Sequence, residues 1–196
     1  MELISDDDPG QEVLIAKDDP ILLALEEAGH AALAEHFDIE VVRVVIRGFG
    51  ISFTEVNDGP TTLENLHHKL TVALGGYYAV FKRTGHLYIA NIYSIDGYCR
   101  DDHRMYRLFD EVSLKDHQER KTWARNAKAA AGWLVEKYWT EIERISEVLN
   151  RDREITGVQV RRILGKAQQR DANSCEPIRP TGYPVPQDFI PGRPRK

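Results

Sequence analysis

The sequence predicts a mainly α-helical domain with a small β-hairpin sheet. Three observations carry that expectation. Apolar residues recur at helical spacing over several long stretches, most clearly over 114–149. β-Branched residues crowd one short run, Ile39 to Ile46. A glycine-rich turn and an alternating segment follow that run directly, as in a hairpin. At 196 residues the chain has room for one domain with tails.

The elements are read in order. Residues 1–19 form an acidic segment with turn signals at Pro9-Gly10 and Asp18-Asp19-Pro20. Asp19 is suited to cap a helix that starts at Pro20, where the missing N–H costs nothing. That helix runs to about His36, with Leu22, Leu25, Gly29, Ala32 and Leu33 as its apolar stripe. Glu26 and His30 share a face beside the stripe, and Glu27 lies one step round.

A strand over 39–46, a turn at Arg47-Gly48-Phe49-Gly50 and a half-exposed strand over 51–56 make the hairpin, closed by Asn57-Asp58-Gly59-Pro60. A second helix is expected from about Thr61 to Lys82, burying Leu63, Leu66, Leu70, Leu74, Tyr77 and Phe81. Its Gly75-Gly76 pair costs about 1 kcal/mol per residue relative to alanine, and the usual return is close approach by another backbone. Residues 85–97 fit a strand or a helical turn equally well, and a short helix from about Asp101 to Val112 follows.

One long helix is expected over 114–149, with Trp123, Ala127, Ala130, Leu134, Tyr138, Ile142, Ile145 and Leu149 on one face. After a break at Asp152-Arg153-Glu154, Thr156 caps a short last helix containing Val158, Val160, Ile163 and Leu164. The domain thus spans 20–165. Over 166–196 the chain turns proline-rich and is expected to be disordered, with six of the nine prolines falling after Asp171.

Composition narrows the function classes. The chain is 42% hydrophobic and 29% charged, ordinary for a globular protein with a core of its own. A net charge of −5 argues against a nucleic-acid binder. Two cysteines, Cys99 and Cys175, make no disulfide framework. No apolar run approaches the roughly 20 residues of a membrane helix. With an acidic N-terminus and no visible signal peptide, the expected compartment is the cytoplasm.

The segment most charged with chemistry is Glu26-Glu27-Ala28-Gly29-His30. It is one substitution from His-Glu-x-x-His, in which two imidazoles four residues apart grip a metal and the Glu acts as general base. Taken alone, a Glu and a His at this spacing read as an ordinary solvated pair. Other residues have bland readings beside the functional ones. Asp101-Asp102-His103 fits a helix N-terminus as well as a ligand, with Asp102 the neighbouring alternative. His36, His67 and His68 are spare imidazoles, the last two expected to be exposed, and Glu35 and Asp38 read as a solvated helix end. Cys99 reads as a buried thiol, and Trp123, Trp133, Tyr138 and Trp139 as core. The basic set Arg151, Arg153, Arg161, Arg162, Lys166 and Arg170 reads equally as a charged face or as a contact for nucleic acid or an acidic partner.

Several of these segments, in order, resemble one family. Glu-Ala-Gly-His-Ala at 27–31 is similar to the His-Glu-Ala-Gly-His-Ala helix of the FtsH-like zinc peptidases, the peptidase domain of the membrane AAA proteases. The hairpin Arg43 to Thr54, with Gly48 and Gly50, resembles that family's strand, glycine-rich turn and edge strand. Leu70 to Ala79 resembles its Leu-Gly-Gly-Arg-Ala-Ala helix, and Gly97-Tyr98-Cys99-Arg100-Asp101 its Gly-Ala-x-x-Asp element. The closing helices to Leu164 match in pattern, so the resemblance spans about residues 20–165.

The resemblance implies a helical zinc-metallopeptidase-like fold that hydrolyses peptide bonds through a metal-activated water. Glu26, His30 and Asp101 would hold the metal, and Glu27 would be the general base. The substrate would be a peptide or unfolded protein, laid along the strand 51–56 by β-augmentation. The departures are specific. Glu26 stands where the family has its first His, and Tyr77, Val80 and Phe81 stand near the place of a family Glu. No Gly-x-x-x-x-Gly-Lys-Ser/Thr is present, so unfolding would fall to a separate ATPase partner, and a homo-oligomer is left open because the family's ring depends partly on that module. A second carboxylate ligand lowers the positive charge at the centre, weakens activation of its water and tilts preference from Zn²⁺ toward harder ions such as Mn²⁺. The alternative is a pseudo-peptidase, without a metal if inactive, that binds protein or peptide without cleaving it.

Overall fold

In the computed structural model, residues 19–47, 51–85 and 100–165 are described. Among them are six helices and a three-stranded antiparallel sheet, so the chain is mainly α with a small sheet. The acidic segment 1–18, the expected glycine turn at 48–50, the stretch 86–99 and the proline-rich stretch 166–196 lie outside the described residues.

Helix α1 (Pro20–His36) begins as the sequence requires: the Asp19 carboxylate accepts the Ile21 N–H at 2.9 Å, with Pro20 in the first turn. The expected single stripe is too narrow. Ala24, Ala28, Ala31, Ala32 and Ala34 are buried along with the leucines, and the helix is covered by α2, α5 and the sheet on different sides. Small residues all round are what allow a central helix to be approached from every side. The helix ends at Phe37, and Asp38 takes a left-handed turn (φ 58°), letting Ile39 N–H reach back to the Ala34 carbonyl at 2.9 Å.

Strand β1 (Glu40–Arg47) pairs with β2 (Ile51–Asn57), as the hairpin reading requires. An irregularity between Val41 and Arg43 turns Val41 and Val44 inward and leaves Val42 45% exposed. The third strand, β3 (Glu154–Thr156), was not evident from the sequence. It pairs antiparallel with the other edge of β1, Val44 opposite Ile155, giving the order β2-β1-β3. Arg153 makes this turn with φ 65°, its N–H bonded to Leu149 O and its carbonyl accepting Ile46 N–H, both at 2.8 Å.

Helix α2 (Leu66–Thr84) starts later than expected, because Thr62 and Asn65 use their side chains on the loop backbone. Leu66, Leu70 and Leu74 are buried as expected, whereas Leu63 and Phe81 are exposed and Tyr77 is half-buried. After α3 (Arg100–Glu111), the expected long helix divides at Tyr138 into α4 (His117–Lys137) and α5 (Trp139–Asp152). The change of direction lets α4 pack on α2 while α5 packs on α1. Tyr138 is held at the joint by a 2.8 Å hydrogen bond between its hydroxyl and His36 Nδ1. Trp123 is core and Trp139 half-buried, but Trp133 is 52% exposed, contrary to the expectation for the aromatic set.

Helix α6 (Gly157–Ile163) opens with a capping box: Thr156 accepts the Gln159 N–H, and the Gln159 side chain accepts the Thr156 N–H. A Cβ on Gly157 would overlap the Val41 carbonyl, so only glycine lets α6 close on β1. The same closure corrects the reading of Glu35 as solvated. Glu35 is fully buried, accepting Val41 N–H at 3.0 Å and pairing with Arg161 at 3.0 Å. Asp38, at the same helix end, is exposed as expected.

Candidate functional site

The crossing of α1 over α2 builds the site. A Cβ on Gly75 would come within 2.8 Å of the Gly29 carbonyl oxygen, so glycines on both helices bring the two backbones together. This is the close approach expected from Gly75-Gly76. One residue further along α2, a Cβ on Gly76 would overlap the His30 ring at Nε2 and lie 2.8 Å from Glu26 Cγ. Glu26 and His30 therefore both close on the bare face of Gly76, which leaves no room there for a methyl group.

The His30 tautomer follows from its partner. Nδ1 is 2.8 Å from the Val72 carbonyl oxygen, which only accepts, so Nδ1 carries the proton. The Gly76 N–H also lies 3.4 Å from Nδ1, but that longer contact is no acceptor geometry for a protonated nitrogen, and the amide already has its intrahelical carbonyl. Nε2 is turned to the bare face of Gly76. An imidazole oriented by an Nδ1–H to backbone carbonyl bond has the arrangement of histidines that bind metals. The ring itself is buried, 6% exposed.

Glu27 points elsewhere, toward the sheet. Its carboxylate accepts the Thr54 hydroxyl at 2.7 Å, and the same hydroxyl lies 3.1 Å from the Glu27 backbone carbonyl. Glu27 is 5% exposed. The sequence placed Glu27 one step round from Glu26 and His30, and the structure uses that step to direct it at β2. Thr54, which holds the Glu27 carboxylate, was not singled out by the sequence reading. Its only signal is a hydroxyl on the strand expected to carry substrate.

Asp101 falls in the first turn of α3, together with Asp102, so the helix N-terminus reading holds for the backbone. Their side chains, and all of Cys99, lie outside what is described. Among the described residues no three His, Cys, Asp or Glu side chains form a metal group. The structure thus brings Glu26 to His30, while the expected third ligand, the Asp101 side chain, lies outside the described residues. An imidazole and a carboxylate brought to one face are donors of the kind a cation takes.

The spare histidines are not exposed as expected. His67 and His68 are half-buried on the first turn of α2, and His68 stacks on Phe37 with ring centroids 4.3 Å apart. Burial holds both imidazoles below the ordinary histidine pKa, and the neighbouring His68 lowers His67 further. Neither joins the Glu26–His30 face. Among the described residues no helix is long and apolar enough to cross a membrane. In sequence comparisons, no protein-family model matches this chain and no curated protein is found to be similar to it.

Proposed function

We propose that the chain is a metal-dependent peptidase-like hydrolase acting on peptides or unfolded protein. The observation that supports this most directly is the orientation of the His30 ring, its Nδ1–H tied to the Val72 carbonyl and its Nε2 edge turned to the Gly76 face it shares with Glu26. Glu26 and His30, with Asp101 from α3, would hold Zn²⁺ or Mn²⁺. When bound, such an ion supplies Lewis acidity toward water and the scissile carbonyl. Glu27 takes a proton from the attacking water and returns it to the leaving amine. Thr54 is a positioning residue, fixing the carboxylate of Glu27 from β2. An extended peptide would add to the sheet β2-β1-β3 as a further strand beside β2.

Elemental analysis of the purified protein, paired with casein cleavage by Glu27→Gln, tests the proposal. Expected are about one equivalent of metal, its loss in His30→Ala, and loss of cleavage in Glu27→Gln with metal retained. Equal cleavage by wild type and Glu27→Gln would remove the catalytic role.

The second reading is a pseudo-peptidase that holds peptides without cutting them. Glu26 favours it, since a carboxylate in place of an imidazole weakens the centre's power to activate water. Metal and peptide binding without any turnover would select it.

A further inference from the structure

A cleft of about 390 Å³ lies between the loop that leaves β2 and helix α3. Its lining includes Asp58, Thr61, Lys69, Arg104, Arg107 and Glu111. The acidic members are already engaged. Lys69, 5% exposed, donates to the Gly59 carbonyl at 2.7 Å and Thr61 Oγ1 at 3.1 Å, and pairs with Asp58 at 3.2 Å. Glu111 accepts the Thr61 hydroxyl. The loop is thereby clamped to α2, and Lys69 has no donor to spare. Arg104 and Arg107 have no carboxylate partner among the described residues. Two guanidiniums one helical turn apart face a cleft whose two carboxylates are otherwise held, which is the chemistry of a carboxylate receptor.

The location gives the cleft a use. Its wall, Asp58 to Thr61, continues β2 without interruption. Thr54, which holds Glu27, lies four residues before Asp58, about 13 Å along an extended chain. Arg104 lies three residues beyond Asp101 on the same helix.

We propose that Arg104 and Arg107 bind a carboxylate carried by the peptide laid along β2, about four residues from the bond that faces Glu27. The inference rests on the reading of β2 as the peptide-holding edge, and it assigns that peptide an acidic class. The carboxylate is either the chain end or an Asp or Glu side chain, since guanidinium recognises both alike.

Fluorescence anisotropy with labelled extended peptides tests this on the whole chain. The peptides carry a free C-terminus or an amide, and an internal Glu or Gln. Wild type is expected to bind at least one acidic form roughly tenfold or more tighter than the neutral form. Loss on amidation assigns the chain end, and loss on Glu→Gln assigns the side chain. The R104Q/R107Q variant is expected to bind all forms as weakly as the neutral one, with unchanged Tm. Should that variant fail to fold, Arg107→Gln alone, at an exposed position, serves in its place. Equal binding of acidic and neutral peptides by wild type, no peptide binding, or discrimination surviving in the variants overturns the proposal. Mass spectrometry of the same mixtures reports cleavage separately. Intact peptides with acid preference preserved would sink the hydrolase and leave the cleft assignment standing.

Discussion

The Thr54 hydroxyl donates to the Glu27 carboxylate at 2.7 Å, joining the middle of the central helix to the edge strand of the sheet. A buried carboxylate that loses one donor loses part of its solvation by the protein. Thr54→Val, similar in shape without the hydroxyl, is expected to destabilise the fold by about 1–3 kcal/mol. Urea unfolding measures it, and Thr54→Ser is expected to recover most of the loss. A Thr54→Val protein as stable as wild type would show the bond contributes nothing.

Gly76 gives a second prediction. In Gly76→Ala the new methyl meets the buried His30 ring, the Glu26 side chain and the Glu26 backbone carbonyl, which must all give way. Overpacking of about 1–3 kcal/mol is expected, together with weaker metal uptake, since both donors are displaced. Gly75→Ala meets the Gly29 backbone and Leu33, away from those donors. It is expected to lower Tm while sparing the affinity of whatever fold remains. Isothermal titration with Zn²⁺ or Mn²⁺ separates the two variants.

The Glu35–Arg161 pair supplies the third. Glu35 is fully buried and the Arg161 side chain is 16% exposed, so removing the guanidinium strands a carboxylate inside the protein. Arg161→Met is expected to cost about 3–5 kcal/mol. The double variant Arg161→Met with Glu35→Gln is expected to recover part of that, because no charge is then buried. A double-mutant cycle by chemical denaturation checks the coupling.

A pH dependence follows from His67 and His68. Their folded-state pKa values are depressed, so the unfolded chain binds protons more readily. Their contribution is fully present above the ordinary histidine value of about 6.5 and is lost as pH falls through the depressed folded values. The urea midpoint is expected to fall on acidification below about pH 6.5. The H67Q/H68Q variant is expected to flatten that fall, and an unchanged slope would remove these residues as its source.

Much of this was legible where local chemistry decides the outcome. Asp19-Pro20 fixes the start of α1, Thr156 with Gln159 fixes the start of α6, and Gly75-Gly76 marks a helix crossing. Residues whose environment comes from far along the chain were not legible. Glu35 looks solvated until Arg161 and the Val41 amide reach it. Glu154 looks like part of a break until β3 forms, with Ile155 opposite Val44. An uninterrupted period over 114–149 does not reveal a joint at Tyr138, because the partner that holds it is His36 on another helix. In the candidate site, the spacing of Glu26 and His30 was readable, but the tautomer set by Val72 and the hydroxyl of Thr54 depend on packing.

The pairing of Val44 with Ile155 has a consequence for synthesis. A ribosome releases β1 and β2 long before β3 exists, so the nascent hairpin carries an open inner edge until the segment after α5 emerges. Until Gly157 settles on the Val41 carbonyl, that edge is a template for other emerging strands. Premature termination ahead of Glu154 would therefore leave not a shorter protein but a sticky one.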